Sequence, residues 1–376
     1  MHPQFMFFIF VFIFYTFINC YIFFHSYRAL PKSKNIRIIF STVYLFFFSA
    51  FIIAMLGRNS LPISIQKILY FPGTVWLGMM LYILMFFLIA DIIYLLNCFI
   101  KFLPAKIKDN YRKIQVYSTY IFVICLSICG YCQYRNPKIV EKNIHIAKTA
   151  GDYKRLKVVG VSDFHLGVAN DNKRLEHFVK LINAQNPDLI IYAGDLVDNN
   201  VLPLEKERMW ETINKLEAPL GVYFCLGNHE YLSGGKASLN FLQKTNVNLL
   251  IDSSILVNES IQIVGRDDFQ MRRNRKSLKE LVENVDTTLP IILLDHEPFN
   301  LNEAEENGID LQFSGHTHNG QIFPGNLIVK QIFELPYGYL KKGNTHYYVS
   351  SGLGLWGPPF RIGTQSEVVV FNIEFN

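Results

Sequence analysis

Five short segments carry side chains able to hold metal ions. They are Asp163-Phe164-His165, Gly194-Asp195-Leu196-Val197-Asp198, Gly227-Asn228-His229-Glu230, Asp295-His296-Glu297-Pro298 and Gly315-His316-Thr317-His318. Together they offer carboxylate, imidazole and amide oxygen, with little thiolate character, a set suited to Mn, Fe or Zn. The donors outnumber those that one tetrahedral zinc takes. Two divalent ions roughly 3.5–4 Å apart, bridged by a carboxylate, use them all. Such a pair acidifies a shared water to hydroxide near neutral pH and clamps phosphoryl oxygens during in-line displacement. Taken singly, Asp and Asn at such places are ordinary caps and turns. All five motifs in order make that explanation poor.

The elements that must deliver these residues are strands. Lys157–Val161 is a short apolar run ending at Asp163 and His165, and Leu189–Ala193 ends at Gly194 and Asp195. Val222–Leu226 ends at Asn228, Pro290–Leu294 ends at His296, and Leu311–Phe313 leads into His316 and His318. Leu175, Phe178, Val179 and Ile182 have helical spacing, closed by Pro187; Met209, Ile213 and Leu216 mark a second helix. Tyr347–Ser350 and Glu367–Ile373 read as late strands, the last strongly alternating. Loops at the carboxyl ends of several strands converge on one crevice, and glycine lets backbone approach a ligand closely. His177 and His346 stand outside these motifs and read as surface or packing residues.

On these motifs the region 156–376 resembles the calcineurin-like metallophosphoesterase superfamily. Val264-Gly265-Arg266-Asp267-Asp268, the tail Val349–Gly354 and Pro359-Phe360-Arg361 are similar to a subgroup often preceded by membrane spans. That subgroup usually has glycine where this chain has Asn319, and its pattern gives Arg361 no clear role. The resemblance implies an α/β fold: four transmembrane helices, then a β-sandwich flanked by helices. It implies that Asp163, His165 and His318 hold one metal, that Asn228, His296 and His316 hold the other, and that Asp195 bridges them. His229 then faces the substrate as the catalytic residue, protonating the leaving oxygen or stabilising phosphoryl charge. Asp198 supports the metal ligands from behind.

The first 150 residues have a different texture. They hold 15 Lys/Arg against 3 Asp/Glu, whereas residues 151–376 hold 21 against 28. The overall charge of +5 is therefore a poor argument for nucleic-acid binding, and no nucleic-acid partner is expected. Four apolar stretches, about 5–24, 36–56, 73–97 and 114–132, each approach the roughly 20 residues a helix needs to cross a bilayer. The first lacks the basic start and the cleavage site of a signal peptide. The expected division is a membrane region with linker at 1–150 and a catalytic domain at 151–376, with the lipid bilayer as partner. Nine Lys/Arg fall in the first and third connecting loops and six on the opposite side, four of those being Arg135, Lys138, Lys142 and Lys148. This places both termini, and the catalytic domain, on the non-cytoplasmic side of the cell membrane. Asp91 lies within the third stretch, either as a functional intramembrane acid or as an acid capped near the interface. Cys129 and Cys132 read as apolar fillers at a helix end rather than a redox pair, and Cys225 is alone in its half. Arg272, Arg273, Arg275 and Lys276 read as a solvated helix start, with contact to lipid headgroups or substrate phosphate as the alternative.

The expected activity is metal-dependent hydrolysis of phosphate ester or pyrophosphate bonds, on a phosphorylated small molecule or a lipid-linked envelope substrate. Two alternatives accompany it. One is a UDP-2,3-diacylglucosamine pyrophosphatase, which requires the domain in the cytosol; the other is a metal-stabilised, non-catalytic sensor.

Overall fold

The computed structural model describes residues 3–272 and 274–376, so Arg273 of the basic cluster lies outside the described residues. The chain divides into two compact units between Gly130 and Tyr131. Helices α1 (Pro3–Ala29), α2 (Lys34–Leu56) and α3 (Ile63–Ile100) of the first, with α4 (Ala105–Arg135), whose residues from Tyr131 onward belong to the second, contain the four expected stretches. All four are long and apolar enough to cross a membrane. They run past the apolar stretches, and polar side chains tie down the loops between them. Gln66, for instance, donates to the carbonyls of Arg58 (3.0 Å) and Leu61 (2.7 Å) at the start of α3. A β-carbon on Gly73 would lie 2.5 Å from the Phe51 backbone nitrogen, so α2 and α3 approach closely there. Asp91 accepts from Tyr21 (2.7 Å) and Gln115 (3.2 Å) and lies 3.2 Å from His25. Side chains of α1 and α4 therefore contact this acid.

The second unit comprises Tyr131–Trp356 and Phe360–Asn376. Its strands are β1 (Lys138–Ile146), β2 (Arg155–Val161), β3 (Leu189–Ala193), β4 (Val222–Cys225), β5 (Asn248–Leu250) and β6 (Ser253–Val257), then β7 (Ile261–Gly265), β8 (Ile291–Leu294), β9 (Leu311–Ser314), β10 (Gly338–Lys342), β11 (Thr345–Val349) and β12 (Glu367–Phe375). They form two six-stranded sheets, ordered β1-β12-β2-β3-β4-β5 and β10-β11-β9-β8-β7-β6. Val158 and Ile191 of the first sheet pack with Ile263 and Ile292 of the second, so one core lies between the sheets. Helix α5 (Asn172–Asn183) covers the outer face of the first sheet with Leu175, Phe178 and Ile182. Short helices α6 (Leu202–Lys206), α7 (Met209–Ile213), α8 (Asn228–Leu232) and α9 (Gly235–Leu242) follow, and α10 (Leu278–Val282) and α11 (Asn302–Glu306) pack on the second sheet. The last helix is α12 (Gly325–Ile332). The architecture is the expected sandwich with helices on both outer faces. Strands β3, β4, β8 and β9 are buried along their whole length, which is why β3, β4 and β8 read as continuous apolar runs.

One boundary needs correction. The division at 150/151 falls inside the second unit, because β1 pairs in parallel with β12 from Lys138↔Glu367 to Ile146↔Phe375. Lys138, Glu141, Lys142 and His145 break the apolar pattern of this edge strand and give it the look of a linker. The helix around Met209 is also shorter than its spacing suggests, ending before Leu216.

Candidate metal centre

The motif-bearing loops leave the carboxyl ends of β2, β3 and β4 in one sheet and of β8 and β9 in the other. The two sheets thus contribute to one site. His165 Nε2 lies 3.0 Å from His318 Nε2, 3.9 Å from Asp163 Oδ1 and 3.8 Å from Asp195 Oδ2. His318 Nε2 lies 3.5 Å from Asp163 Oδ1. On the other side of Asp195, its Oδ2 is 3.2 Å from His296 Nε2. Asn228 Oδ1 and His316 Nδ1 are 3.1 Å apart, and the His316 ring centroid is 5.2 Å from that of His296. All seven expected ligands are brought together, with Asp195 between the two groups.

The local backbone is bent to achieve this. Asp163, His165, Asp195, His316 and His318 all have φ between 47° and 70°, the left-handed region that side chains other than glycine usually avoid. Strain of this kind persists where surrounding structure enforces it. His316 N–H donates to Asp163 Oδ1 (3.1 Å), and His229 N–H donates to Asp195 Oδ1 (2.9 Å). Two glycines make room: a β-carbon on Gly227 would sit 2.3 Å from Asp195 Oδ1, and one on Gly315 would sit 2.4 Å from Asp163 Oδ2. Asn319, where the resembling subgroup has glycine, has φ 50° and ψ 32°. Asn is among the residues that best tolerate this conformation, so the departure keeps the turn.

Several site residues escape sequence reasoning. Glu230 accepts from the N–H groups of Gly227 (2.8 Å), Asp195 (3.0 Å) and Val197 (3.0 Å), tying the β3 and β4 loops together. A Glu three residues after an N-cap is the signal that could have found it. Burial, then the charge of Asp195, pushes its carboxyl up to about 7. Arg361 is fully buried and donates to the carbonyls of Ser351, Gly352, Gly354 and His318 and to Ser366 Oγ. It clamps the C-terminal loop against the segment bearing His318. Asn170 donates at 3.0 Å to the carbonyls of Phe164, His165 and Leu355, and no sequence signal marks it. The basic cluster is also not simply solvated. Arg275 forms a two-pronged pair with Asp295 at 2.9 and 3.2 Å, and Arg266 reaches the same carboxylate at 3.1 Å. Asp295 therefore anchors the loop of His296 instead of facing a metal.

The donor set fits divalent cations. His296 donates through Nδ1 to the Ala193 carbonyl (2.8 Å), and its buried Nε2, beside Asp195, has no hydrogen-bond partner among the described residues. Burial, then the charge of His296, holds His316 down to about 3, and burial with His165 holds His318 well below the usual range. Both rings are thus neutral, as metal ligands must be. Burial opposes charge on His296, yet Asp195 outweighs it and draws a proton there. A cation between these groups would take that proton's place. His229 hydrogen-bonds through Nδ1 with the Asp198 carbonyl (2.6 Å), and its Nδ1 lies 3.7 Å from Asp198 Oδ1. Its other nitrogen is the one left for a substrate. Burial lowers its proton affinity, but Asp195 and Asp198 raise it further, so the net shift is upward. Asp198 also stands 3.7 Å behind His165 Nδ1. His229 lies close enough to Asp195 and His165 to share a cation with them, although the resemblance gives it the substrate-facing role. A cavity of about 500 Å³ opens over these residues.

Two sheets thus bring seven potential metal donors together from the carboxyl ends of five strands, a set able to hold divalent cations. Residues 156–320 match the family described as calcineurin-like phosphoesterase. A metallophosphoesterase of Helicobacter pylori strain J99 is 32% identical over 292 residues, covering 73% of this chain and 74% of that protein. The chain belongs to the calcineurin-like phosphoesterase family. It is also 31% identical over 247 residues to a transmembrane protein with metallophosphoesterase domain from Danio rerio, covering 62% of this chain and 56% of that one. A solved dimetal phosphatase from Danio rerio is 10% identical with a TM-score of 0.37, covering 58% of this chain and 98% of that one.

Proposed function

We propose that this protein hydrolyses phosphate ester or pyrophosphate bonds of a membrane- or envelope-linked substrate, using two divalent ions drawn from Mn, Fe and Zn. The observation that carries this reading is the convergence of Asp163, His165, Asp195, Asn228, His296, His316 and His318 on one another, with His165, Asp195, Asn228, His316 and His318 lining a single cavity. Ions held there supply Lewis acidity toward water and the phosphoryl oxygens. The protein's own groups do the rest. Asp195, fixed by the His229 N–H, keeps the two donor groups in register. The Asp198 carbonyl orients His229, and Asp195 and the Asp198 carboxylate raise the proton affinity of the ring against the effect of burial. As a hydroxide oxygen, whose proton has been lost to solvent, bonds to phosphorus and the ester bond breaks, His229 delivers its proton to the departing oxygen. Full-length protein in detergent is expected to hydrolyse p-nitrophenyl phosphate with Mn²⁺ and to lose that activity in excess chelator. Full activity in chelator would refute the two-metal reading.

We further propose that the bilayer is a partner, that the catalytic unit lies on the non-cytoplasmic side, and that nucleic acid is not a substrate. The motivation is the Lys/Arg bias of the first and third loops. Lys138 and Lys142, counted against it, lie in β1 as part of the folded unit. A C-terminal alkaline phosphatase fusion is expected to be active, and a C-terminal fluorescent protein dark. The reverse pattern places the domain in the cytosol, where a nucleotide-linked lipid pyrophosphate becomes the leading substrate.

A further inference from the structure

The wall of the cavity is unusual for a phosphate site. Gly325, Ile328, Val329 and Ile332 form one helical face of α12 and line the cavity. That face is not packed away: α12 has no buried residue, and Ile328 and Ile332 are 60% and 57% exposed. Phe323 and Trp356 beside it are 41% and 51% exposed. Asn326, Lys330 and Gln331 take the remaining positions together with one further exposed apolar residue, Leu327. A short amphipathic helix edged by aromatics and carrying a lysine has the composition of an interfacial element.

A second observation supplies the occupant. The last residues of α4, where this apolar helix ends, are bonded into the loops bearing that patch. Tyr134 donates to Asn170 Oδ1, and Asn170 holds the Leu355 carbonyl next to Trp356. Gln133 donates to the Thr364 carbonyl, Thr364 Oγ1 to the Gln321 carbonyl (2.6 Å), and Gln321 Nε2 to the Trp356 carbonyl (2.9 Å). Phe323 N–H donates to the Ile362 carbonyl (2.8 Å) in the same segment. The end of α4 and the apolar rim of the cavity are therefore joined through a few hydrogen bonds.

We propose that the apolar face of α12, with Phe323 and Trp356, docks on the phospholipid leaflet at which α4 ends, and that the centre takes a lipid phosphate ester directly from that leaflet. The substrate class rests on the phosphoesterase reading above; the docking does not. At about 1.5 Å per residue, α12 spans roughly 12 Å, enough to lie along the headgroup boundary with its isoleucines in the acyl region.

The test uses full-length protein in phosphatidylcholine vesicles containing brominated acyl chains. The chain has three tryptophans, Trp76, Trp210 and Trp356. Trp356→Phe is expected to remove about half of the bromolipid-quenchable emission, with Trp76 in α3 supplying the rest. The same vesicles carry dioleoyl phosphatidate, with p-nitrophenyl phosphate in the buffer. The double substitution Ile328→Glu and Ile332→Glu is expected to lower the ratio of lipid to soluble ester hydrolysed about tenfold or more. Quenching indifferent to Trp356, together with an unchanged ratio and intact p-nitrophenyl phosphate hydrolysis, overturns the docking and leaves the phosphoesterase reading standing. Trp356-dependent quenching without hydrolysis of either ester has the opposite meaning.

Discussion

Asp195→Ala is expected to lose both metal and turnover. Asp195 Oδ2 is the atom within 3.2 Å of His296 Nε2 and 3.8 Å of His165 Nε2, so its removal leaves both donor groups short. Its Oδ1 also fixes the His229 N–H. A loss of about 4 kcal/mol of charge stabilisation corresponds to roughly 10³-fold in rate, and a residual rate no better than that is expected. Elemental analysis should show fewer than two ions per chain after dialysis against a metal-buffered solution. Because Asp195 is buried, a circular-dichroism melt of the variant accompanies these measurements to show that it is folded. Two bound ions and normal turnover in this variant would remove Asp195 from the bridging position.

His229→Ala separates chemistry from binding. The expected result is two ions retained and turnover lowered by roughly 10²–10⁴-fold, the range for a positioned general acid. The loss should shrink for substrates with good leaving groups, because p-nitrophenolate needs no proton whereas an alkoxide does. Comparison of an aryl with an alkyl phosphate therefore tests the assigned role better than activity alone. His229 stands near Asp195 and His165. If the variant loses metal as Asp195→Ala does, His229 is a ligand and the proton must come from elsewhere.

The ligands were legible in the sequence because each follows a short, mostly apolar strand, and β3, β4, β8 and β9 are buried along their whole length. The edge strand β1 was not legible. Its charged residues obey the exposure of its outer side, and only pairing with β12 reveals it. Glu230 sits inside a recognised motif, yet its role appears only when three N–H groups from two loops point at it. Arg361 shows the same limit: its partners are backbone carbonyls, which carry no sequence identity. Asp91 stands out in sequence as a charge in an apolar run. The geometry adds Tyr21, His25 and Gln115 as the groups around it.

The position of β12 bears on how the protein is made. Among the strands it is the last to be synthesised, yet it lies between β1 and β2. Its partner β1 is 229 residues earlier in register, from Lys138 to Glu367. The first sheet therefore cannot close while the ribosome is still producing the intervening segments, and the long loop makes closure entropically costly and late. The membrane helices precede all of this, so they can reach the bilayer while the downstream polypeptide is still unfolded. A chain in that state is the form suited to passage through a translocation channel. On the non-cytoplasmic topology proposed above, β12 would join β1 and β2 only after that passage, and ion loading would belong to the compartment where β12 arrives.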